Sequence, residues 1–266
     1  MAAKYCYWSV ATGPYAAWME RCAASARAAG VAKEFHVLAD CEVPGCECYD
    51  AMGVDLHDGM FKFIYLQAAI SKLNFDYYVW VDADTLFTRN PDRLLAALCA
   101  SPIHAPLEAL ADVMEGSPLL RRLSPVRYRE LMHKAGVYNE VYASRPAFWI
   151  IKRAAVDVAC ELAQHYYAVA KKAGETPHGD AALSYTMQML CGDPQAHLAS
   201  MRPDLWWSDE VGTFQEPLTS GWNPRQPLAP RKQPRPSALL HLPARRRQAM
   251  AAGTCQTAAS VETVCA

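Results

Sequence analysis

Tyr77-Tyr78-Val79-Trp80-Val81-Asp82-Ala83-Asp84-Thr85-Leu86-Phe87 decides how the chain is read. An apolar run of β-branched and aromatic residues ends on two carboxylates one residue apart, and Thr88-Arg89-Asn90-Pro91 follows. A short apolar run bounded by turn residues predicts a buried strand leaving the core. Side chains alternate faces along a strand, so Asp82 and Asp84 begin on one side, and the turn beyond can aim both at one point. Two carboxylates that close repel, and a hard divalent cation with oxygen ligands relieves the repulsion. The plainer reading is two surface aspartates at a strand end, with Asp84 capping a turn.

The rest of the composition narrows the class. A length of 266 residues fits one large domain, or one domain with a tail. Apolar content of 52% with 20% charged residues describes an ordinary globular chain with ample core. A net charge of −1 gives no global argument for nucleic acid, so no nucleic-acid partner is expected. No apolar run approaches the roughly 18 residues of a membrane span, and Met1-Ala2-Ala3-Lys4 leads at once into an apolar run without a signal-peptide layout. The expectation is a cytoplasmic protein with no transmembrane segment. Ten scattered cysteines do not resemble a small disulfide scaffold.

Upstream, residues 5–11 read as a strand ending at Thr12-Gly13-Pro14. A helix follows, with Trp18, Cys22, Ala26 and Ala29 on one stripe and Gly30 as its stop. Residues 34–40 read as a second strand. Strand, helix, strand opens a βαβ unit and predicts an α/β fold with parallel strands. Ligands of open α/β sheets bind beyond the carboxyl ends of the strands, which selects Ser9, Ala11, Thr12 and Asp40. Backbone turn duty is the alternative for each. Cys41, Cys46 and Cys48 cluster, with His36 and His57 nearby, but their spacing is not a standard zinc pattern. Small buried thiols in a loop are the preferred reading.

A helix is expected over residues 60–73, with Phe61, Ile64, Tyr65, Ala68 and Leu73 facing the core and Lys62 elsewhere. Pro91 begins a short helix to about residue 100. Residues 107–115 and 119–135 look helical, 141–151 read as strand, and 154–173 form a long helix with Val156, Cys160, Ala163 and Tyr167 on its stripe. Pro177-His178-Gly179-Asp180 turns into a helix ending near residue 190. Asp180 at its start is favoured as an anion by roughly 0.3–1 kcal/mol, and a simple helix cap is the competing account. From Asn223 prolines alternate with Arg225, Arg231, Lys232 and Arg235, the pattern of an extended, lid-like segment. The expected organisation is a catalytic domain over 1–222, a Pro/Arg-rich segment over 223–248, and a disordered tail over 249–266.

Asp82-Ala83-Asp84, behind its Tyr-Tyr-Val-Trp-Val strand and ahead of Asn90-Pro91, resembles the Asp-x-Asp motif of GT-A glycosyltransferases. The resemblance implies the GT-A fold: a Rossmann-like mixed sheet flanked by helices, in a single domain with a flexible C-terminal tail. It also implies Mn²⁺ or Mg²⁺ held by Asp82 and Asp84 against the diphosphate of a nucleotide-sugar donor, with Ala83 beside them. Ser9, Ala11, Thr12 and Asp40 would then meet the base and ribose. Lys62 takes the place of a basic residue that approaches the donor in several such families, a solvated lysine being the alternative. Residues 101–143 would lie towards the acceptor, and Ala143 to Trp149 would line the sugar pocket.

Two further stretches carry family resemblances. His178-Gly179-Asp180-Ala181-Ala182-Leu183-Ser184 is similar to a segment of the blood-group A/B transferase-like retaining family, whose acid lies beside the anomeric carbon. Asp180 takes that position, one methylene shorter than the family's Glu, and Gly179 replaces the preceding Asp. Pro203-Asp204-Leu205-Trp206-Trp207-Ser208-Asp209 resembles a second segment of that family, with Trp206 and Trp207 either stacking on a sugar or filling core. His241-Leu242-Pro243-Ala244-Arg245-Arg246-Arg247 resembles the His-x-x-Gly-x-x-Lys of glycogenin-like enzymes. That resemblance makes His241 a third metal ligand and gives Arg245 and Arg247 the diphosphate.

The haloacid-dehalogenase-like phosphatases also place two aspartates after a strand. Their pattern puts one residue between the second Asp and a Thr, whereas Thr85 follows Asp84 directly, and no Asp-Asp pair follows downstream. A nucleotidyltransferase would open with a Gly-rich loop that Ala11-Thr12-Gly13-Pro14 lacks. A non-catalytic nucleotide-sugar-binding module keeps the fold without turnover. The sequence therefore favours a metal-dependent glycosyltransferase using a UDP-sugar and an unidentified acceptor, with retention weakly preferred.

Overall fold

The computed structural model describes residues 4–51, 61–70, 72–87, 90–92, 102–105, 107–109, 120, 123–139, 141–144, 148–191, 206–208 and 239–241. Strand β1 (Tyr5–Ala11) leads through helix α1 (Tyr15–Ala28) to β2 (Phe35–Ala39) and β3 (Glu47–Asp50). Helix α2 (Phe61–Ile70) precedes β4 (Tyr77–Val81) and β5 (Thr85–Phe87). Then come β6 (Ile103–His104), β7 (Leu107–Ala109), helix α3 (Pro125–Ala135), β8 (Tyr142–Ser144) and β9 (Phe148–Lys152). Helices α4 (Val156–Lys172) and α5 (Gly179–Cys191) follow, and β10 (Trp206–Ser208) and β11 (Leu239–His241) end the described chain.

The principal sheet has six strands in the order β3-β2-β1-β4-β9-β6. The first four are parallel, and β9 then β6 join antiparallel. The fold is thus α/β with a mixed sheet, as expected. Its alternation is clean in β4. Tyr77, Val79 and Val81 enter a core with α1, whereas Tyr78 and Trp80 enter a larger one with α2, α3, α4 and α5. Every residue of β4 is buried because helices cover both faces, which explains the unbroken apolar run. A second sheet, β10-β11-β5, ties the chain near residue 240 to the segment just after Asp84.

Helix α1 follows its sequence stripe, burying Trp18, Met19, Cys22, Ala23 and Ala26, and Gly30 closes the turn behind it at φ +79°. Other elements depart from expectation. Helix α2 buries Phe63 and Leu66 and leaves Ile64 exposed. The sequence is apolar on several sides there, so its spacing did not single out one phase. Helix α3 starts at Pro125, not residue 119: Ser124 caps it, accepting from the Arg127 amide at 3.2 Å, and Pro125 occupies the first turn. A proline disfavours helical backbone in the residue before it, which is what ends the longer expected helix.

Residues 107–109 form a strand paired with β8 where a helix was expected. The expected strand over 141–151 is two strands in different sheets, and Arg145-Pro146-Ala147 between them lies outside the described residues. The helix expected beyond Pro91 also lies outside them past Asp92, as do His57 and the proposed lid and tail, apart from β11. Cys48 lies in the unexpected strand β3, half-buried like Cys46, while Cys41 is exposed, so the buried-thiol reading of this trio fails. Among the described residues no helix is long and apolar enough to cross a membrane.

Candidate active site

Parallel strands deliver their carboxyl ends to one edge of the sheet. There β1, β2 and β4 lie side by side, and the structure brings together Ser9, Ala11, Thr12, Asp40, Asp82, Ala83 and Asp84. Ser9 is buried and donates its hydroxyl to the Val81 carbonyl at 2.7 Å, locking β1 to β4 one residue before the aspartates. Asp40 accepts the Gly13 amide at 2.9 Å and so holds the turn after β1. Gly13 sits at φ +55°, a left-handed conformation in which a side chain would be strained. Turn duty thus occupies one Asp40 oxygen.

After Val81 the chain turns, and the Thr85 amide returns to the Asp82 carbonyl at 3.0 Å. Asp84 is only 3% exposed, which sets aside the surface-aspartate reading for it. Asp82 is partly open. The Cys22 thiol on α1 is pushed well above its ordinary pKa by burial, with the charges of Cys46, Asp84 and Asp82 adding to the rise.

Lys62, from α2, reaches this edge. Its Nζ lies 2.9 Å from Asp82 Oδ1 and 4.9 Å from the centre of the Trp80 ring. Trp80 Nε1 donates to the same Oδ1 at 2.6 Å, and the Trp80 and Trp149 rings stack at 5.9 Å. Lys62 is therefore neither solvated nor idle. Trp80 was missed as a site residue, although standing two positions before Asp82 on a strand put it on the same face.

The remaining candidates are placed less completely. Asp180 lies in the first turn of α5, 8% exposed, and its charge contributes, after burial and Tyr166, to raising the pKa of the buried Tyr128 phenol. It is thus set among α3 and α5. His241 is described in backbone only: it is paired with Thr85, the residue after Asp84, and with Ser208. Trp206 is paired with Leu239. Arg245 and Arg247 lie outside the described residues. The one group of three metal-ligating side chains among the described residues is elsewhere, at Glu34, His36 and Glu47. His36 thus neighbours glutamates, not the cysteines considered with it in the sequence.

No protein-family model matches the sequence. No curated protein matches it either. Solved structures do match in fold. The chain is similar to the galactosyltransferase LgtC in complex with donor and acceptor sugar analogues, at TM-score 0.55 and 14% identity, over 93% of this chain and 95% of that one. An active-site mutant of LgtC matches equally, over 94% and 96%. The fold is that of the GT-A glycosyltransferases, and the likeness spans nearly the whole of both chains.

Proposed function

We propose that this protein is a metal-dependent glycosyltransferase that moves a sugar from a nucleotide-diphosphate sugar, a UDP-sugar, to an acceptor hydroxyl. The observation that carries the reading is the position of Asp82 and Asp84 directly after the carboxyl end of β4. The ends of β1 and β2 lie alongside, and β11 pairs His241 with Thr85. Two carboxylates with an imidazole residue in the adjoining register form an oxygen-rich donor set that suits Mn²⁺ or Mg²⁺. Asp82, Asp84 and His241 would hold the divalent ion that glycosyltransferases of this fold often carry. When bound, it would offset charge on the departing diphosphate.

The chain's own groups supply the rest. Ser9, Ala11, Thr12 and Asp40 border the place for base and ribose. Lys62 stands where it can pass its ammonium from Asp82 to a diphosphate oxygen, with Arg245 and Arg247 adding fixed positive charge. Trp206 is assigned to the sugar or its neighbourhood. Asp180 is assigned to the reacting sugar, as nucleophile or oxocarbenium stabiliser if configuration is retained and as acceptor base if it inverts. In either case the bond from the anomeric carbon to the diphosphate oxygen breaks. A bond to the acceptor oxygen forms, and the acceptor proton leaves with a base or the departing diphosphate.

Calorimetric titration of UDP and of GDP, with and without Mn²⁺, tests the premise. Mn²⁺-dependent UDP binding that disappears in Asp82→Ala/Asp84→Ala is the expected outcome. A folded protein that binds neither nucleotide would remove the premise.

A further inference from the structure

A second cluster lies at the opposite edge of the sheet from β6, where β3 pairs with β2 in the register His36 to Glu47. Three features set it apart from a chance patch of acids. His36 is 2% exposed, yet its side chain points between two glutamates whose own side chains are 67% and 61% exposed. Its Nε2 is buried and makes no hydrogen bond, although Glu34 Oε2 lies 3.3 Å away. Its Nδ1 lies 3.0 Å from the Tyr49 hydroxyl and 3.6 Å from Glu47 Oε2.

The partners suit one tautomer. The Tyr49 hydroxyl lies 3.0 Å from Nδ1 of His36, and its oxygen can accept from Nδ1–H. An imidazole protonated at Nδ1 carries its lone pair on Nε2, the atom left without a hydrogen bond. This arrangement matches the outer shell of metal-binding histidines, where a partner on one ring nitrogen fixes the other as ligand. One ligand atom from each of Glu34, His36 and Glu47 lies within 4.8 Å of the others, a spacing that small side-chain rotations close around one ion.

We propose that Glu34, His36 and Glu47 bind a zinc-class dication that clips edge strand β3 to β2. One imidazole nitrogen with two carboxylate oxygens, leaving a position for water, is a donor set that four-coordinate Zn²⁺ takes. The cluster is distinct from Asp82 and Asp84: the register from His36 to Trp8 to Trp80 sets it two strands away from β4. It is independent of the donor-site reading. The function it implies is structural, since an exposed edge strand gains an anchor to its neighbour.

Equilibrium dialysis of the full chain against Zn²⁺, with metal content and melting temperature as readouts, tests the site. The expected result is one Zn²⁺ retained in Asp82→Asn/Asp84→Asn and lost when Glu34→Gln/Glu47→Gln is added to that variant. The zinc-induced rise in melting temperature should follow the same pattern. Tyr49→Phe keeps the ring but frees the imidazole tautomer, and should weaken Zn²⁺ about tenfold. Co²⁺ substitution should give visible d–d bands without a sulfur-to-metal charge-transfer band. Zinc that survives with all four carboxylates replaced overturns the proposal. A thiolate band removed by Cys41→Ser/Cys46→Ser/Cys48→Ser also overturns it, as does a chain that binds no zinc.

Discussion

Lys62 Nζ sits 2.9 Å from Asp82 Oδ1, so a lysine on α2 already neutralises the first aspartate of the Asp-x-Asp turn. A dication arriving at Asp82 has to compete with that ammonium, whereas an arriving diphosphate welcomes it. Lys62→Met should therefore act with opposite signs on the two ligands. Mn²⁺ alone should bind about fivefold tighter, on the order of 1 kcal/mol for one charge removed from a partly exposed pair. Mn²⁺-dependent UDP binding should weaken. Counting free Mn²⁺ by electron paramagnetic resonance, with and without UDP, reads both effects, and loss of both affinities together would contradict the exchange.

Trp80→Phe separates the ring from its N–H. The ring would still carry Lys62 and stack near Trp149, but Asp82 would lose a donor at 2.6 Å. A hydrogen bond to a charged acceptor is worth about 1.5–3 kcal/mol, and the partial exposure of Asp82 favours the lower end. Urea unfolding should show a loss of about 1–2 kcal/mol. Trp149→Ala, which empties a fully buried site beside the same ring, should cost about 3–5 kcal/mol.

What could be read from the sequence tracks how much of each signal is local. The β4 run and the α1 stripe are short-range patterns, and the structure returns both. The parallel strands followed from the βαβ opening, whereas the antiparallel β9 and β6 were implied only by the GT-A resemblance. The failures at α2 and β7 came where neighbouring residues are apolar on more than one face, or where pairing with a strand some 35 positions away decides the state. Glu47 was invisible for the same reason: it meets His36 through a strand register, which no spacing along the chain encodes. Glu34, two positions before His36, lay within reach of the sequence and was not singled out. The start of α3 was legible after all: Ser124-Pro125 is a capping signal that the longer helical reading passed over.

That cap can be measured. Ser124→Ala removes the acceptor for the Arg127 amide and should cost about 1 kcal/mol of stability. At the other end Gly136, at φ +109°, takes a left-handed conformation with no atom crowding an added Cβ. Gly136→Ala should thus cost about 1 kcal/mol through backbone strain alone. The two sites lie at opposite ends of one helix, so the losses in chemical denaturation should add.

Asp180 distinguishes an enzyme from a binding module. Asp180→Asn keeps the shape of a nearly buried side chain while removing its charge. Stability should fall by only about 0.3–1 kcal/mol, the value of an anion in the first turn of a helix. Transfer to acceptor should collapse by at least about a hundredfold, the lower scale of acid–base contributions, while UDP–Mn²⁺ affinity holds. Unchanged turnover would remove Asp180 from the reaction.

Buried thiols make the fold sensitive to alkali. Burial raises Cys191 to about 11, and burial raises Cys160 to about 12, with Asp157 and Glu161 adding. An unfolded chain gives up these protons near pH 9, whereas the folded chain keeps them. The folded state therefore binds more protons above pH 9, and the free energy of unfolding falls there. The stability from both thiols is complete below pH 9 and is lost as pH rises through 11 and then 12. Each thiol contributes a slope approaching 1.4 kcal/mol per pH unit while only the unfolded form is ionised. Urea midpoints under reducing conditions should be level with respect to these groups from pH 7 to 8.5 and decline above that. Cys191→Ala should lower stability at neutral pH and flatten the alkaline decline by up to one proton, so parallel curves for the two proteins would show that the thiol is not protected in the fold.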